Sequence, residues 1–448
     1  MADRPRTTDD RPGSNGTQTP GYDDEKTHQA QASTPCDNPA SSITRDLEQG
    51  SVQTPSHADD ANIVGWDSDD DPLNPQNWPT RKKFINCALV SCLTLLAPLA
   101  SSAFAPGTPQ LLHDFNSKSS ELSSFVLSVY VLGYAVGPMI AAPMSEMYGR
   151  FVVYLVTNIG FVAFLAGCAL APSISSFVAF RFFSGAFGSC VISNGGGTLA
   201  DIVRLESRAR VMAAFSVVPM LGPIVGPIMG GFLVASKGWR WVFWVLVMVA
   251  GTLTISMALF TSESYAPVLL EQKTRMLRRE TGNTRLRSEL DKGLTHGDLF
   301  KQSIVRPYYI LFCSPLVLIF ATYMLVVYGY LYLLFTSVSV VFQETYGFST
   351  SSSGLVFISF GLGSITSLIW HSWTSDGDAT EQLKKDEFEP EFRLKLLPYA
   401  SFSIPIGLFI YGWTAQYHVH WIAPLIGLYF FGLGQYNYFH QTGAEARS

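Results

Sequence analysis

Three glycines and two prolines recur every four residues inside one long apolar stretch of this chain. Gly222, Gly226 and Gly230 therefore share one face of a helix, where a neighbouring helix can approach backbone to backbone. Pro223 and Pro227 follow the same period and remove intrahelical hydrogen bonds, so the segment is predicted to bend. Lipid tolerates such a segment only where neighbouring helices or water satisfy the freed carbonyls. A tight helix pair without a specific function would show the same spacing.

The composition indicates a membrane protein. Only 15% of the 448 residues are charged and 48% are hydrophobic, whereas about a quarter of the residues of soluble domains are charged. Five of the six cysteines fall in apolar segments, so they are predicted to pack rather than to form disulfides or bind a metal. The net charge of −5 gives no support for a nucleic-acid partner.

The first 80 residues differ from the rest of the chain. They are rich in Ser, Thr, Asp, Pro and Gln and contain almost no apolar run, so residues 1–80 are predicted to form a disordered cytoplasmic tail. The tail has no basic start followed by an apolar run, so the first apolar segment is expected to act as an uncleaved signal.

Ten apolar segments follow the tail, and most are near the length of about 20 residues that crosses a bilayer. The predicted spans are 84–105, 122–143, 151–171, 177–200, 211–234, 241–261, 310–340, 351–371, 398–414 and 421–439. The seventh is overlong, so an interfacial piece around Phe300 to Phe312 is expected to precede it. The predicted regions are an amino-terminal half (81–261), a central loop (262–309), a carboxyl-terminal half (310–439) and a polar tail (440–448).

The loops between the spans differ strongly in positive charge. Alternate loops, beginning before the first span, hold twenty Lys and Arg residues, and the opposite loops hold three. This bias predicts that the amino terminus and the central loop are cytoplasmic. The central loop contains Leu277 to Glu280 within a charged sequence, which suggests short amphipathic helices along the inner membrane surface.

Several stretches resemble one transporter family. The segment from Gly222 to Gly231 is similar to the fifth-helix motif of antiporters of the major facilitator superfamily, and every fixed position is matched. Residues 65–78 and 262–270 resemble two markers of its fungal drug:proton antiporters, which have twelve spans. The resemblance runs from about residue 65 to about residue 434. It implies an all-α membrane protein with the major facilitator fold, here a six-helix half and an incomplete half of four spans.

The loop between the second and third spans resembles the superfamily's signature inner loop. Gly149 and Arg150 match that pattern, whereas Glu146 replaces its aspartate and Met147 its first arginine. The resemblance implies a gating loop in which Arg150 reaches Asp201 at the end of the fourth span. Glu146 and Arg150 lie four residues apart, so they could also pair if the turn is helical. An ordinary surface pair is the alternative.

Arg181 lies in an apolar setting on the fourth span. Its charge costs several kcal/mol there unless the side chain snorkels to the interface or faces a polar interior. Both readings stay open, because Arg181 is about one turn from the end of the predicted span. Arg181 and Gly185 resemble the superfamily's span-four motif, whose arginine is implicated in proton transfer.

Tyrosines and asparagines within the spans are candidate substrate contacts. Tyr130, Tyr134 and Tyr323 would offer a flat apolar surface and a hydroxyl group, although most such residues pack against the protein or lie at the interface. Asn194 is a further candidate, and it could instead bridge two helices, as could Asn158. No Asp or Glu lies clearly in mid-membrane, which weakens the case for a cation site with a buried carboxylate.

The family resemblance implies a function. It suggests export of organic small molecules (drugs, toxins, polyamines or secondary metabolites) by alternating access, with a proton gradient as energy source and no cofactor or metal. We expect a monomer in the plasma membrane. A membrane enzyme would need a catalytic motif, and neither HExxH nor GxSxG occurs. The sequence turns polar from Gln435, where spans eleven and twelve are expected to be missing and the chain defective, so a non-transporting or receptor-like product is the alternative.

Overall fold

The computed structural model describes residues 62–68, 70–117, 119–291, 293, 296–370 and 397–445. Six long helices form the amino-terminal half of the chain. They are α1 (Thr80–Ser102), α2 (Ser120–Tyr148), α3 (Arg150–Leu170), α4 (Ile174–Ile202), α5 (Leu205–Lys237) and α6 (Trp239–Phe260). Each is long and apolar enough to cross a membrane, which confirms the six predicted spans of this half.

Six further helices follow α6. They are α7 (Ala266–Thr281), α8 (His296–Cys313), α9 (Pro315–Glu344), α10 (Thr350–Trp370), α11 (Leu397–Gln416) and α12 (Ile422–Glu445). Among these described helices, α9 and α10 also have the length and hydropathy of a span, and α11 and α12 occupy the predicted ninth and tenth spans. The fold is therefore all-α, with a six-helix half and four helices at the predicted spans of the second half.

The overlong seventh segment divides into two helices, as expected. Ser314 has an extended backbone (φ −102°, ψ 108°) and Pro315 occupies the first turn of α9. A proline disfavours helical geometry in the residue before it, which explains the break. Cys313 thus ends α8, and the span proper begins at Pro315.

The prolines of α5 do not interrupt it. Pro219, Pro223 and Pro227 all lie inside one continuous helix from Leu205 to Lys237. By contrast, α1 ends at Ser102, three residues before the predicted end of the first span, because the chain turns there through a short 3-10 helix, Ala105–Gly107.

The predicted boundary of the disordered tail at residue 80 is wrong for its last part. Ile63–Val64 forms a strand, β1, which pairs in parallel with β2, Arg287–Ser288, in the central loop. Pro75–Asn77 forms a 3-10 helix before α1. This polar segment makes many hydrogen bonds and ion pairs with the central loop and buries only a few apolar side chains, among them Val64 and Trp78. Its composition therefore did not predict its order. Residues 1–61 lie outside the described residues.

Two other predicted polar segments are only partly described. The loop at residues 371–396 and residues 446–448 lie outside the described residues. Residues 440–445 of the predicted polar tail belong to α12.

The helices expose large apolar side chains on their outer faces. Examples are Leu132 on α2, Val156 on α3, Ile255 on α6 and Leu325 on α9, each more than half exposed. Such faces suit contact with lipid, since helices satisfy their backbone groups internally. The chain is therefore a multi-pass membrane protein.

The bundle has two ends, which we name by their loops. The gate end holds the α2–α3 and α4–α5 connections at Gly149 and Val203, and the far end holds the α1–α2 and α5–α6 connections at Ala103 and Gly238. Towards the far end, α5 of the first half meets α10 of the second. A Cβ on Gly354 would lie 2.5 Å from the Pro227 carbonyl oxygen, so only a glycine allows this approach.

Candidate functional site

Close packing of α2 and α4 places Arg181. A Cβ at Gly133 or Gly137 on α2 would overlap backbone atoms of α4, and one at Gly185 would overlap the Tyr130 carbonyl oxygen. These glycines let the two helices touch backbone to backbone. Arg181 lies one turn from Gly185 towards the far end, so the same contact sets the position of its side chain.

The Arg181 guanidinium binds two carbonyl groups at the carboxyl end of α1. Nη1 donates to the Ala100 carbonyl oxygen at 2.9 Å, and Nη2 donates to that of Ser101 at 3.2 Å. Both carbonyls belong to the last turn of α1, whose carbonyl groups lack intrahelical partners. A cation at a helix carboxyl end also interacts favourably with the helix dipole. Two features of α1 therefore stabilise a charge inside the bundle.

Aromatic rings surround the same guanidinium. Its Cζ lies 4.8 Å from the ring centre of Tyr130 and 5.7 Å from those of Phe104 and Phe243. The residue is 0% exposed, so Arg181 does not snorkel and faces the interior. Its Nε has no hydrogen-bond partner among the described residues. One donor of the buried cation is thus unpaired within the described residues.

Four tyrosines from both halves lie near one another, and we call them the tyrosine cluster; Tyr130 is the member whose ring lies against Arg181. Tyr130 and Tyr134 on α2 stack with ring centres 6.2 Å apart. Tyr134 lies within electrostatic range of Tyr328 and Tyr332 on α9. Tyr130 is buried and the other three are partly buried.

Two hydrogen bonds join the cluster to α1: the Tyr130 hydroxyl donates to the Ala97 carbonyl oxygen at 2.9 Å, and the second comes from Tyr332. The Tyr332 hydroxyl lies 2.5 Å from Ser101 Oγ, and the Ser101 carbonyl accepts from Arg181. Ser101 therefore connects the buried cation of the first half to a tyrosine of the second.

The other predicted substrate contacts lie elsewhere. Tyr323 is partly buried on α9, five residues from Tyr328, which places it on a different helix face from the tyrosine cluster. Asn194 bridges helices, because its Nδ2 donates to the Ala141 carbonyl oxygen on α2 at 3.5 Å. Asn158 bridges α3 to α6 through a 3.7 Å contact with the sulfur of Met257. The bridging interpretation of both asparagines therefore fits the structure.

The glycine face of α5 lies directly on α1. A Cβ at Gly222 would lie 2.8 Å from the Leu99 nitrogen, and one at Gly230 would overlap the Ala103 carbonyl oxygen. At Gly226 it would overlap Ser102 Oγ, which donates to the Gly222 carbonyl at 3.1 Å. Gly231 faces α10 instead, since a Cβ there would lie 2.9 Å from the Thr350 carbonyl oxygen. The motif thus packs α5 between both halves.

The gating loop turns at Gly149. This residue has a φ of +94°, which ends α2 at Tyr148 and starts α3 at Arg150. The turn from Glu146 to Arg150 is therefore not helical, and the structure does not form the pair that a helical turn would allow. Arg150 Nε instead lies 3.5 Å from Asp201 Oδ2, and its Nη1 donates to Ser145 Oγ at 2.7 Å.

Glu263 completes this gate, although the sequence analysis assigned it no functional role. Its carboxylate accepts from the backbone N–H groups of Arg150 and Phe151 at the start of α3, at 2.9 and 3.0 Å. It also accepts from Ser264 and Tyr265, both at 2.9 Å. A carboxylate at a helix amino end satisfies free N–H groups and favours the dipole. Glu263 therefore ties the end of α6 to the turn at Gly149.

The Tyr265 ring covers Arg150. The Arg150 Cζ lies 4.8 Å from the ring centre, within the range of a cation–π contact. Burial raises the pKa of the Tyr265 hydroxyl, so the ring stays uncharged at neutral pH. The gate thus contains one cation, two carboxylates and an aromatic cover. Within the described residues, no group of three or more His, Cys, Asp or Glu is placed to hold a metal.

Comparison with known proteins identifies the family. Residues 90–445 match the Major Facilitator Superfamily. The chain is 47% identical to "Efflux pump radE" of Floropilus chiversii over 84% of this chain and 70% of the relative. It is also 47% identical to "MFS-type transporter penM" of Penicillium rubens, over 92% of this chain and 82% of the relative.

Solved structures share the fold at low identity. The xylose transporter XylE from E. coli, in a partially occluded inward-open conformation, matches with a TM-score of 0.56 at 16% identity, over 82% of this chain and 87% of XylE. A bacterial homolog of the human lysosomal transporter Spinster, inward-facing and unoccupied, matches with a TM-score of 0.57 at 15% identity, over 82% and 75% of the two chains.

Proposed function

We propose that this chain, which belongs to the major facilitator superfamily of membrane transporters, exports an organic small molecule in exchange for protons by alternating access. One observation carries the proposal. Arg181 is a fully buried cation that is held by α1 carbonyls, lies against the Tyr130 ring of the first half and is connected through Ser101 to Tyr332 of the second. A buried charge in a membrane is costly and therefore marks a functional site by default.

The charges favour a neutral or anionic aromatic substrate over a polyamine or another organic cation. Arg181 supplies a positive charge and a spare Nε–H donor. Within the described residues, the Asp and Glu side chains of the spans lie at or near helix ends, as Glu121, Asp201 and Glu344 do. An organic cation would therefore meet a like charge without a compensating carboxylate. Tyrosine rings and hydroxyls suit a flat molecule with hydrogen-bonding groups.

The gate supports the alternating-access part of the proposal. The gate joins the α2–α3 turn to the ends of α4 and α6 at one end of the bundle, through Arg150, Asp201, Glu263 and Tyr265. The excess of Lys and Arg in the loops at the gate end supports a cytoplasmic location for it. We further propose that the protein works in the plasma membrane as a monomer.

Inside-out proteoliposomes provide the test. The chain is reconstituted with an acidic lumen, and uptake of fluorescein, an aromatic anion, is compared with uptake of the cation rhodamine 6G. We expect gradient-dependent uptake of the anion, abolished by collapsing the pH gradient and by Arg181→Met. Arg240→Met is the matched control, because Arg240 also lies over a ring, that of Trp239 at 4.3 Å, but is partly exposed. Absence of gradient-driven uptake of either dye, or preference for the cation, would contradict the proposal.

A further inference from the structure

The segment before α1 is joined to the central loop by hydrogen bonds and ion pairs. The Asn62 carbonyl accepts from the Arg287 N–H at 2.8 Å, and the Val64 carbonyl accepts from Glu289 at 3.0 Å. These bonds belong to the parallel pairing of β1 with β2. Two parts of the chain more than 200 residues apart are therefore joined through their backbones.

Lys273 on α7 makes the ionic part of this junction. Its Nζ lies 2.7 Å from Asp67 Oδ1 and 3.3 Å from Asp71 Oδ2, and it donates to the Gly65 carbonyl at 3.1 Å. The Lys273 and Asp71 side chains are 10% and 3% exposed. Removing one partner of such a buried pair leaves an uncompensated charge, so the pair specifies a single arrangement.

Asp71 also shapes the segment around itself. Its carboxylate accepts from the backbone N–H groups of Leu73 at 2.8 Å and Asp67 at 3.1 Å. These bonds and Lys273 hold the pKa of Asp71 below its ordinary value. The loop is therefore folded around a carboxylate that stays ionised and available to Lys273.

The same segment reaches the gate from a second side. Arg204, in the α4–α5 connection, donates from Nη2 to Asn77 Oδ1 at 2.9 Å and from Nε to the Gln76 carbonyl at 3.3 Å. Asp201 of the gate lies only three residues before Arg204. Lys83 of α1 donates to the same Gln76 carbonyl at 2.6 Å. The segment thus connects the start of α1 to the gate end of α4.

The helix α7 links this junction to the gate. Tyr265, whose ring covers Arg150, is the residue that precedes α7, and Lys273 lies eight residues later. At 1.5 Å per residue the two are about 12 Å apart along one helix. A helix of this length transmits a displacement of one end to the other. Holding the Lys273 side chain in place therefore also holds the position of Tyr265 and of Glu263, which accepts a hydrogen bond from the Tyr265 N–H.

We propose that residues 62–68 and 70–78 form a clasp that holds α7 over the gate, and that Lys273 is the positioning residue that closes it. With the clasp closed, residues 262–289 belong structurally to the amino-terminal half, and the link that lets the halves move begins after them. The effect on transport rests on the function proposed above, whereas the effect on the loop does not.

Limited trypsin digestion of the purified protein tests the clasp directly. Lys273→Met removes the charge and keeps much of the stem, and it should open new cleavage at the arginines between residues 275 and 287. Arg279→Met is the matched control for the loss of a charge, because Arg279 is an exposed cation of the same helix with no side-chain partner in the described part of the chain. It loses its own tryptic site and should open no new cleavage at the other arginines. Lys273→Arg should keep the wild-type pattern. If Lys273→Met does not accumulate, Asp67→Asn removes only the exposed partner of Lys273.

A cross-link tests the positioning role. Val64 and Ser288 are register partners of β1 and β2, and both are buried. Cysteines at these two positions, oxidised in the Lys273→Met protein, should restore both the wild-type digestion pattern and the rate of gradient-driven uptake. Before oxidation we expect uptake to be slowed about tenfold, because the cover over Arg150 is loosened.

The outcomes separate the two proposals. An unchanged digestion pattern in Lys273→Met and Asp67→Asn would overturn the clasp. New cleavage with wild-type uptake, or slow uptake that the cross-link does not restore, would overturn the positioning role. A wild-type protein that resists cleavage in the loop but shows no gradient-driven uptake would support the clasp and refute the proposed function.

Discussion

Replacing Gly230 by alanine should separate α1 from α5. The added Cβ would overlap the Ala103 carbonyl oxygen and lie 2.8 Å from its carbonyl carbon. Both are backbone atoms, so no side-chain rotation relieves the overlap, and the helices must move apart by on the order of 1 Å to restore van der Waals contact. Overpacking of this kind costs about 1–3 kcal/mol, and alanine returns up to about 1 kcal/mol of helix propensity. Because the overlap is with backbone atoms, the cost lies near the upper end of its range, and the expected net loss of stability is ~2 kcal/mol.

The same displacement should reach Arg181. Ala103 follows directly after α1, whose last carbonyls, at Ala100 and Ser101, hold the guanidinium. Hydrogen bonds to charged groups contribute about 1.5–3 kcal/mol each. If one is lost, uptake should fall at least about tenfold, since about 1.4 kcal/mol corresponds to a factor of ten in rate.

Gly251→Ala is the control for this prediction. Gly251 lies on α6 of the same half, and a Cβ there meets nothing within 4 Å. The substitution has the same helix-propensity gain without the overlap, so stability should be equal or higher. Thermal midpoints from fluorescence-detected size exclusion and uptake into proteoliposomes are measured for both variants. Equal midpoints and equal rates for Gly230→Ala and Gly251→Ala would refute the close α1–α5 contact.

Four further results are expected. Arg181→Ala should reduce gradient-driven uptake about 100-fold, because two charge-assisted hydrogen bonds are lost at ~1.5 kcal/mol each, while membrane abundance stays near wild type; rapid uptake would exclude the coupling role. Tyr332→Phe should slow uptake severalfold, since only one hydroxyl hydrogen bond is removed; no change would mean that this bond does not join the halves. Glu263→Gln should slow uptake about tenfold through the loss of ~1.4 kcal/mol of capping energy, whereas Glu280→Gln, exposed at the end of α7, should not; equal rates would remove Glu263 from the gate. Because the pKa of Asp71 lies below its ordinary value of 3.8, the ionised carboxylate should stabilise the clasp fully at pH values above 3.8, and this stability should be lost as the pH falls through the lowered pKa. Hydrogen exchange of the clasp that rises already near neutral pH would contradict this.

Much of the fold could be predicted from the sequence because the bilayer imposes a simple length and hydropathy rule. The six helices of the first half, and the separate helix before α9, follow from apolar runs and from Pro315. The ordered segment at residues 62–68 and 70–78 could not be predicted in this way. Its order depends on Lys273 and β2, which are distant in sequence, and composition reports only local burial.

The same distinction applies to the candidate site: contacts set by local spacing could be predicted, and contacts with distant parts of the chain could not. The spacing of Gly222, Gly226 and Gly230 predicted a close helix contact, because a helix repeats its faces every three to four residues. For Arg181 the sequence left two locations open, since the choice depended on where α4 begins and on which carbonyls lie opposite. Glu263 lies in a stretch that resembles a family marker, residues 262–270, but its role could not be predicted, because a carboxylate after a span looks like any charged loop residue until the turn at Gly149 is placed beside it.

The carboxyl end of α1 is where the separate motifs meet. The span-four arginine donates to the carbonyls of Ala100 and Ser101, and the α5 glycines lie against the residues from Pro98 to Ala103. Helix α9 also bonds to this segment at Ser101, through the Tyr332 hydroxyl. A movement of the second half that breaks the Tyr332 bond therefore acts on the residue whose carbonyl holds Arg181. Since the guanidinium has one unpartnered donor, a small shift of Ser101 changes which acceptors it can reach. Motion between the halves and the environment of the buried charge are thereby linked through Ser101.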